Sequence, residues 1–257
     1  MLNIKSFIEG IRNYKYLVTS VKESFTLGLF SIKAKYRQKK VLKDLKNNLG
    51  VSLKSVTSNY LLIGNYHLEI FPHHGVFLVH SPSLADLYPT TIGIDTDYLS
   101  LHDTEASLLG TFCGFSGYIL DISKEPLLSE QKFMSISLNF ALDKIPGEIK
   151  EIENFLLQLK SMLYGAGTIF GITAPGIGLH YKPKHLQYME IQYKNNIWFN
   201  KNISVNNLRT IFEKHFSNFV IQEYNSYITF ALFVEVKKDV RAHKLDINNI
   251  EGKYLRL

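Results

Sequence analysis

The stretch TIGIDTDYLSLHDTEASLLGTFCGFSGYILD, residues 91–121, contains two short apolar segments separated by a segment of helical character. The apolar segments end in acids, at Asp95 and Asp121. Between them, residues 99–111 repeat apolar side chains at the spacing of a helix face. A strand, a helix and a second strand in this order predict a mainly parallel sheet covered by helices on both sides.

The same alternation continues on both sides of this unit. Predicted strands cover residues 60–64, 66–71, 133–139, 168–173, 219–224 and 227–236. The clearest predicted helix, residues 146–164, has one apolar stripe opposite a charged side, and Gly165 is expected to stop it. Ser204 is expected to cap the next helix. The last two strands are joined by a tight turn, which predicts that the final strand enters the sheet antiparallel.

The two ends of the chain and one internal segment differ from this pattern. Residues 1–59 are predicted to be a helical N-terminal segment, with its helices interrupted at Gly28. Residues 60–240 form the predicted α/β domain, and residues 241–257 a C-terminal tail. Within the domain, residues 176–203 are rich in Tyr, His and Asn and are expected to be an irregular insertion.

Charge is distributed unevenly along the chain. The net charge is +6, yet residues 1–60 contain 12 basic and 3 acidic residues, or +9, which leaves −3 for the remainder. Residues 33–46 are the densest basic part, which suits a solvated helix face, an acidic partner, an anionic lipid surface or a nucleic acid. Tyr36 is the single aromatic residue among these bases, which disfavours nucleic-acid binding.

Composition sets the expected environment. One cysteine, Cys113, excludes an internal disulfide and is typical of a cytoplasmic protein. The sequence contains no secretory signal and no apolar run of the ~18 residues that a membrane span requires. Cys113 is expected to be a small buried hydrophobe, and Trp198 a core or lid anchor.

The order and spacing of these segments resemble the class I S-adenosylmethionine-dependent methyltransferases, from about Tyr66 to Lys237. The small methyltransferases that tailor secondary metabolites are most similar between Gly167 and Asn200. In that family the first strand leads into a turn of the form acid-x-Gly-x-Gly-x-Gly, where Leu68-Glu-Ile-Phe-Pro-His-His-Gly75 stands here. The resemblance implies a Rossmann-like methyltransferase fold, a mainly parallel sheet with an antiparallel last strand.

The resemblance also implies a cofactor site at the carboxyl ends of the strands, for S-adenosylmethionine if any cofactor binds. Glu69 and Gly75 belong to the turn, Asp95 matches the acid that holds the ribose hydroxyls, and Asp121 matches the acid near the adenine. Asn139 ends the fourth strand and begins the loop that approaches the substrate. No catalytic residue is identified in the sequence.

The glycine turn itself departs from the family. Phe71 and His73 replace two of the three glycines, and only Gly75 remains. Glycine is needed there because the backbone adopts angles that side chains resist and approaches the cofactor closely. A phenyl ring at position 71 would lie where the amino-acid part of the cofactor belongs, and Pro72 lacks a backbone donor.

Three functions are consistent with these features. The first is a non-catalytic, methyltransferase-like subunit that supports a catalytic methyltransferase partner, or a homodimer. The second is an active methyltransferase that acts on a small molecule by direct transfer, for which the retained acids argue. The third is an adaptor that binds lipid or nucleic acid through the basic residues 30–46.

Histidines and tyrosines elsewhere in the sequence are weaker indications of a metal site or a general base. His73 and His74 are adjacent, so they point in opposite directions on an extended chain, and no metal site is expected. The insertion carries several histidines and tyrosines, and one of the histidines is a candidate general base. Packing or surface roles for these side chains are the favoured interpretation. These residues are His180, Tyr181, His185, Tyr188 and Tyr193.

Overall fold

The computed structural model describes residues 21–51, 66–80, 90–109, 113–122, 132–176, 181–224 and 226–234. Within these ranges seven strands form one sheet. The strands are β1 (Tyr66–Ile70), β2 (Thr90–Asp95), β3 (Gly114–Ile119), β4 (Phe133–Asn139), β5 (Leu163–Thr173), β6 (Asn218–Glu223) and β7 (Ile228–Phe233).

The strand order is β3-β2-β1-β4-β5-β7-β6. β7 runs antiparallel to both β5 and β6, and the pairs among β1 to β5 are parallel. The predicted Rossmann-like sheet with an antiparallel last strand is therefore confirmed. The direction of winding reverses between β1 and β4, and in open α/β sheets a crevice for ligands forms at the carboxyl ends of the strands at such a point.

Six α-helices accompany the sheet in the described ranges. They are α1 (Val21–Leu49), α2 (Val76–Val79), α3 (Tyr98–Leu108), α4 (Ile149–Ser161), α5 (Pro183–Lys194) and α6 (Val205–His215), with 3-10 turns at His73–Gly75 and Leu142–Lys144. Helices α4 and α6 pack on one face of the sheet through a continuous apolar core. Helices α1 and α5 contribute to a second apolar cluster with Phe140, Ile172 and Trp198.

The central strands present different chemistry to their two faces. Leu68 and Ile70 of β1 and Ile136 of β4 belong to the core under α4 and α6. Alternate residues of the same strands, His67 and Glu69, are polar and buried. One face of the sheet centre is therefore apolar, and the opposite face carries buried polar groups that require hydrogen-bond partners.

Local signals explain where two helices begin. Glu148 precedes α4, and its side chain and that of Glu151 form a reciprocal capping box. Before α6, the Ser204 hydroxyl accepts a hydrogen bond from the Asn207 backbone N–H at 3.1 Å, which confirms the predicted cap.

Three sequence predictions are wrong in detail. Helix α1 continues through Gly28, because one glycine costs only about 1 kcal/mol in a long helix. Helix α4 ends at Ser161, and Gly165 lies in β5, where the register shifts against β4 between Phe133 and Ser135. The insertion expected to be irregular contains α5, which begins at Pro183, a residue favoured in the first helical turn.

Some predictions lie outside the described residues. These are the helical pattern before residue 21, the strand at 60–64 and the tail at 241–257. The proposed domain boundaries at residues 59 and 240 therefore stay predictions. Within the described part of the chain, no helix has both the length and the apolarity to cross a membrane.

Candidate functional site

The loop after β1, residues 71–75, adopts an unusual backbone. Phe71, His73 and His74 have φ of 57°, 50° and 61°, and Gly75 has φ of 76°. All four angles lie in the left-handed region, which side chains with a Cβ resist at a cost of roughly 1–2 kcal/mol per residue. The loop thus has glycine-like backbone angles at Phe71 and His73, where side chains are present.

One backbone and one side-chain hydrogen bond hold this loop against its neighbours. The Phe71 N–H donates to the Ile94 carbonyl of β2 at 2.7 Å. The His73 Nε2–H donates to the Asn139 carbonyl at the end of β4 at 2.7 Å. Burial, followed by the charge of Lys144, lowers the pKa of His73 to about 3, so this imidazole is neutral at pH 7 and links β1 to β4.

Helix α1 fixes the same loop from the other side. Arg37 forms a two-pronged ion pair with the fully buried Asp103 of α3, and this bond raises the pKa of Arg37. The His74 Nδ1 donates to the same carboxylate at 2.8 Å. Gln38 donates to the His74 carbonyl at 2.6 Å and to the Ser107 hydroxyl at 2.7 Å. The N-terminal helix is therefore joined to the loop by buried polar contacts.

Gly75 lies at a position where both the packing and the backbone require glycine. A Cβ added there would lie 3.1 Å from the Thr104 Cα of α3, and φ is positive. Close approach of a helix and a positive φ both require glycine. Gly75 therefore has a structural role that does not depend on a cofactor.

A buried polar cluster occupies the β1 and β4 strands next to the loop. Its members are His67, Glu69, Ser135, Ser137 and Asn139, each no more than 2% exposed. Glu69 accepts hydrogen bonds from His67 Nε2 at 3.1 Å, from Asn139 Nδ2 at 3.2 Å and from the Ser137 hydroxyl. The Asn139 Oδ1 has no hydrogen-bond partner, although it is buried. The structure thus brings Glu69 and Asn139 together, as their positions at strand ends suggested.

Asp95 lies at the end of β2 and is buried. Its Oδ1 accepts a hydrogen bond from the Asp97 backbone at 3.1 Å, and Asp97 in turn caps α3 through the Leu99 N–H at 2.9 Å. Part of the Asp95 carboxylate is thus used in a turn. Asp121 is half-buried just beyond β3, beside Leu120, whose N–H donates to the Asp95 carbonyl at 3.1 Å.

Lys144, from the turn after β4, enters this region. Its Nζ lies 3.7 Å from the centroid of the Phe71 ring, a cation–π contact. Burial lowers the pKa of Lys144, and the charges of Asp95, Asp143 and Asp97 act in the opposite direction. The sequence contains no signal for this role of Lys144, because it depends on how the β4 turn folds over the β1 loop.

Asp143 joins the turn after β4 to β5 and the insertion. Its carboxylate accepts from the Thr173 hydroxyl at 2.9 Å and from the Ala174 N–H at 3.0 Å. Its carbonyl accepts from the Phe199 N–H at 2.8 Å. Burial raises the pKa of Asp143 to about 7 despite these bonds. Asp143 gives no distinct signal in the sequence, since a carboxylate in a loop resembles an ordinary turn residue.

The aromatic residues of the insertion form a packed group. Trp198 stacks on Phe140 with ring centroids 5.9 Å apart and meets Tyr188 and Tyr193 edge-on, which confirms its role as an anchor. His185 is 5% exposed, and its Nδ1 has no partner. His180 lies outside the described residues.

The two adjacent histidines and the cysteine make contacts that support the fold. His73 bonds to Asn139 and His74 to Asp103, and the described residues contain no group of three or more His, Cys, Asp or Glu at metal-binding distances. Cys113 is buried, and burial raises the pKa of its thiol.

Comparison with known proteins relates the fold to methyltransferases. No family model matches the sequence. The Escherichia coli K12 protein YbcY is 27% identical over 177 residues, which span 66% of this chain and 85% of YbcY. A possible exported protein from Bordetella parapertussis is structurally similar, with a TM-score of 0.54, 11% identity and coverage of 91% of this chain and 80% of that one.

Two solved methyltransferases extend this likeness. An S-adenosylmethionine-dependent methyltransferase from Clostridium acetobutylicum has a TM-score of 0.53 at 10% identity and covers 78% of this chain and 99% of its own. The plantazolicin methyltransferase BpumL, solved with S-adenosylhomocysteine, has a TM-score of 0.50 at 12% identity. The match covers 82% of this chain and 98% of BpumL. The chain therefore has the class I methyltransferase fold.

Proposed function

We infer that this chain is a non-catalytic protein of the methyltransferase fold that supports a methyltransferase partner. The observation that carries the proposal is the contact between Phe71 and Lys144 at the carboxyl edge of the sheet. Phe71 is 4% exposed, and it stands at the first glycine position of the turn. A buried ring covered by an ammonium group leaves little room for the amino-acid part of S-adenosylmethionine.

Charge argues in the same direction. The sulfonium of S-adenosylmethionine is a cation, and Lys144 supplies a second cation beside the altered turn. Like charges within a few ångströms repel strongly where solvent is excluded. Asp95, Asp97 and Asp143 partly balance Lys144, so the negative charge of this region already has an internal counter-ion.

The helix after the loop is also unsuited to the family's mode of binding. In Rossmann-like sites a helix follows the glycine turn, and its N-terminal N–H groups and dipole favour the ligand's negative groups. Here the described helix, α2, has four residues, Val76–Val79. So short a helix contributes little dipole. The residues at the β1 loop therefore do not suit the cofactor's methionine end, although the resemblance would assign Asp95 to its ribose end.

An active small-molecule methyltransferase is the second candidate, and one observation favours it. The buried Asn139 Oδ1 lacks a donor, and leaving a buried acceptor unpaired costs roughly 1–3 kcal/mol. A ligand amine beside Glu69 and Asn139 would remove that cost. In this reading the chain would bind and orient a substrate near the aromatic group around Trp198.

The test is methyl transfer by the chain alone and in its native complex. The tagged chain is purified together with its partners from the native host under non-denaturing conditions. Transfer of labelled methyl groups from S-adenosylmethionine is then measured before and after the partners are removed. We expect activity in the complex, no activity in the isolated chain, and recovery when the two are recombined. Appreciable transfer by the isolated recombinant chain would overturn the proposal.

A further inference from the structure

The outward side of α1 carries a row of lysines that has no role in the fold. We call Ile32, Lys33, Tyr36, Lys39, Lys40 and Lys43 the lysine face; all six are exposed. At 100° per residue, positions 32, 36, 39 and 43 follow one another along a single stripe of the helix. The lysine face is therefore a continuous surface.

The opposite side of α1 attaches the helix to the domain. Ala34, Gln38, Leu45 and Leu49 are buried. Arg37, which is the one arginine between residues 32 and 46, is paired with Asp103. The helix is thus held in one orientation, and the lysine face is directed away from the sheet.

The lysine face contains unbalanced positive charge. The four lysines outnumber the one acid between residues 32 and 49, Asp44, which is half-buried and lies one turn after Lys40. Lysine is depleted at protein–protein interfaces, where arginine is enriched. A compact ammonium on a flexible stem suits a diffuse array of anionic groups better than a bidentate contact. An all-lysine face therefore favours a lipid surface over a folded protein partner.

Apolar side chains lie within the same face. Ile32 is 65% exposed and Tyr36 is 71% exposed, the two largest values among the exposed large hydrophobic residues. Helices that lie in a membrane interface combine lysines with such aliphatic and aromatic residues, and tyrosine is favoured at the headgroup level.

We propose that α1 docks the protein onto an anionic membrane surface, with Ile32 and Tyr36 entering the interface and Lys39, Lys40 and Lys43 contacting lipid phosphates and carboxylates. Clusters of four to eight basic residues on an amphipathic helix bind acidic lipids in this way. A nucleic acid is the less suitable occupant, because Tyr36 is the single stacking group on a convex helix. The proposal is independent of cofactor binding.

The test is co-sedimentation of the full chain with vesicles of phosphatidylcholine alone or with 30% phosphatidylserine. We expect binding to the anionic vesicles only, weakening as salt is raised. Reversing Lys39, Lys40 and Lys43 to Glu should reduce affinity by at least roughly 100-fold, since each lysine contributes about 1 kcal/mol and each glutamate adds repulsion. The matched control reverses three exposed lysines elsewhere, Lys150, Lys184 and Lys194, and should retain most of the binding.

Insertion is measured separately with Tyr36→Trp in a Trp198→Phe background. We expect a blue shift of the indole emission on anionic vesicles and none on neutral ones. Equal binding to both vesicle types, or an equal loss in the control triple variant, would overturn the proposal. Tighter binding to a 20-base-pair DNA duplex than to anionic vesicles would also overturn it, and would assign the face to nucleic acid.

Discussion

The Lys144 ammonium lies 3.7 Å from the centroid of the Phe71 ring, and through this contact the turn after β4 covers the loop after β1. Lys144 also lies close enough to Asp95, at the end of β2, for their charges to interact. The three segments belong to adjacent strands and meet where the strand order reverses. On the proposed function, these side chains fill the region in which an open α/β sheet of this kind binds a ligand.

Removing both side chains is expected to open the site. In Phe71→Gly/Lys144→Met, glycine suits the positive φ of position 71, and the cation is lost. We expect the double variant to bind S-adenosylhomocysteine measurably by calorimetry. Lys150→Met, on the exposed side of α4, is the control and should not change binding. A folded double variant that still fails to bind would show that other features close the site.

The Arg37–Asp103 pair should contribute strongly to stability. Replacing Arg37 by Met leaves a fully buried carboxylate without its arginine partner, and breaking a buried pair typically costs about 3–5 kcal/mol. Urea unfolding measures the loss of free energy. Lys214→Met removes an exposed partner of Glu153 and should change stability little. Equal effects of the two variants would contradict a role for α1 in fixing the loop.

Gly75→Ala should destabilise the protein by about 1–3 kcal/mol. The substitution places a Cβ at a positive φ and 3.1 Å from the Thr104 Cα. Gly165→Ala is the matched control, because a Cβ there meets nothing within 4 Å. Chemical denaturation of both variants checks the prediction, which fails if Gly75→Ala is as stable as the control.

Asp143 and His73 should give opposite dependences of stability on pH. The pKa of Asp143 is raised from 3.8 to about 7. The contribution of this group to the free energy of unfolding is therefore full below pH 4 and is lost as pH rises through 7. The pKa of His73 is lowered from 6.5 to about 3, so its contribution is full above 6.5 and is lost as pH falls towards 3. In the wild type these slopes offset each other between about pH 4 and 6.5.

Single variants separate the two contributions. The melting temperature of Asp143→Asn, measured against that of the wild type at the same pH, should rise as pH increases from 4 to 7. The variant lacks the carboxyl group whose deprotonation destabilises the wild type in this range. The melting temperature of His73→Gln should improve, relative to wild type, as pH falls from 6.5 to 4. Differential scanning calorimetry across this range measures both, and parallel profiles for wild type and variants would contradict the assignments.

The sheet could be predicted because its signals are local and mutually consistent. Acid-ended apolar segments at Thr91–Asp95 and near Asp121, joined by a helix, specify a parallel unit, and the final hairpin specifies the antiparallel edge. Helix α5 was missed because its apolar residues are few, and the extent of β5 because Gly165 and Gly167 are typical of helix stops.

The positions of Glu69 and Asn139 near strand ends could be predicted from the sequence, and the structure joins these two side chains directly. The cofactor-binding roles of Glu69, Gly75, Asp95, Asp121 and Asn139 stay predictions. Lys144 and Asp143 were missed because their roles arise from contacts between segments distant in sequence. The left-handed backbone at Phe71 could not be inferred either, since phenylalanine gives no local preference for it.

Calorimetric titration of the wild-type chain with S-adenosylhomocysteine and S-adenosylmethionine tests the closed site most directly. If Phe71 and Lys144 occupy the cofactor region, neither ligand binds at millimolar concentration, and the double variant gains affinity for the neutral sulfide. Micromolar binding of either ligand to the wild type would contradict this, because the Phe71–Lys144 contact would then have to yield to the cofactor.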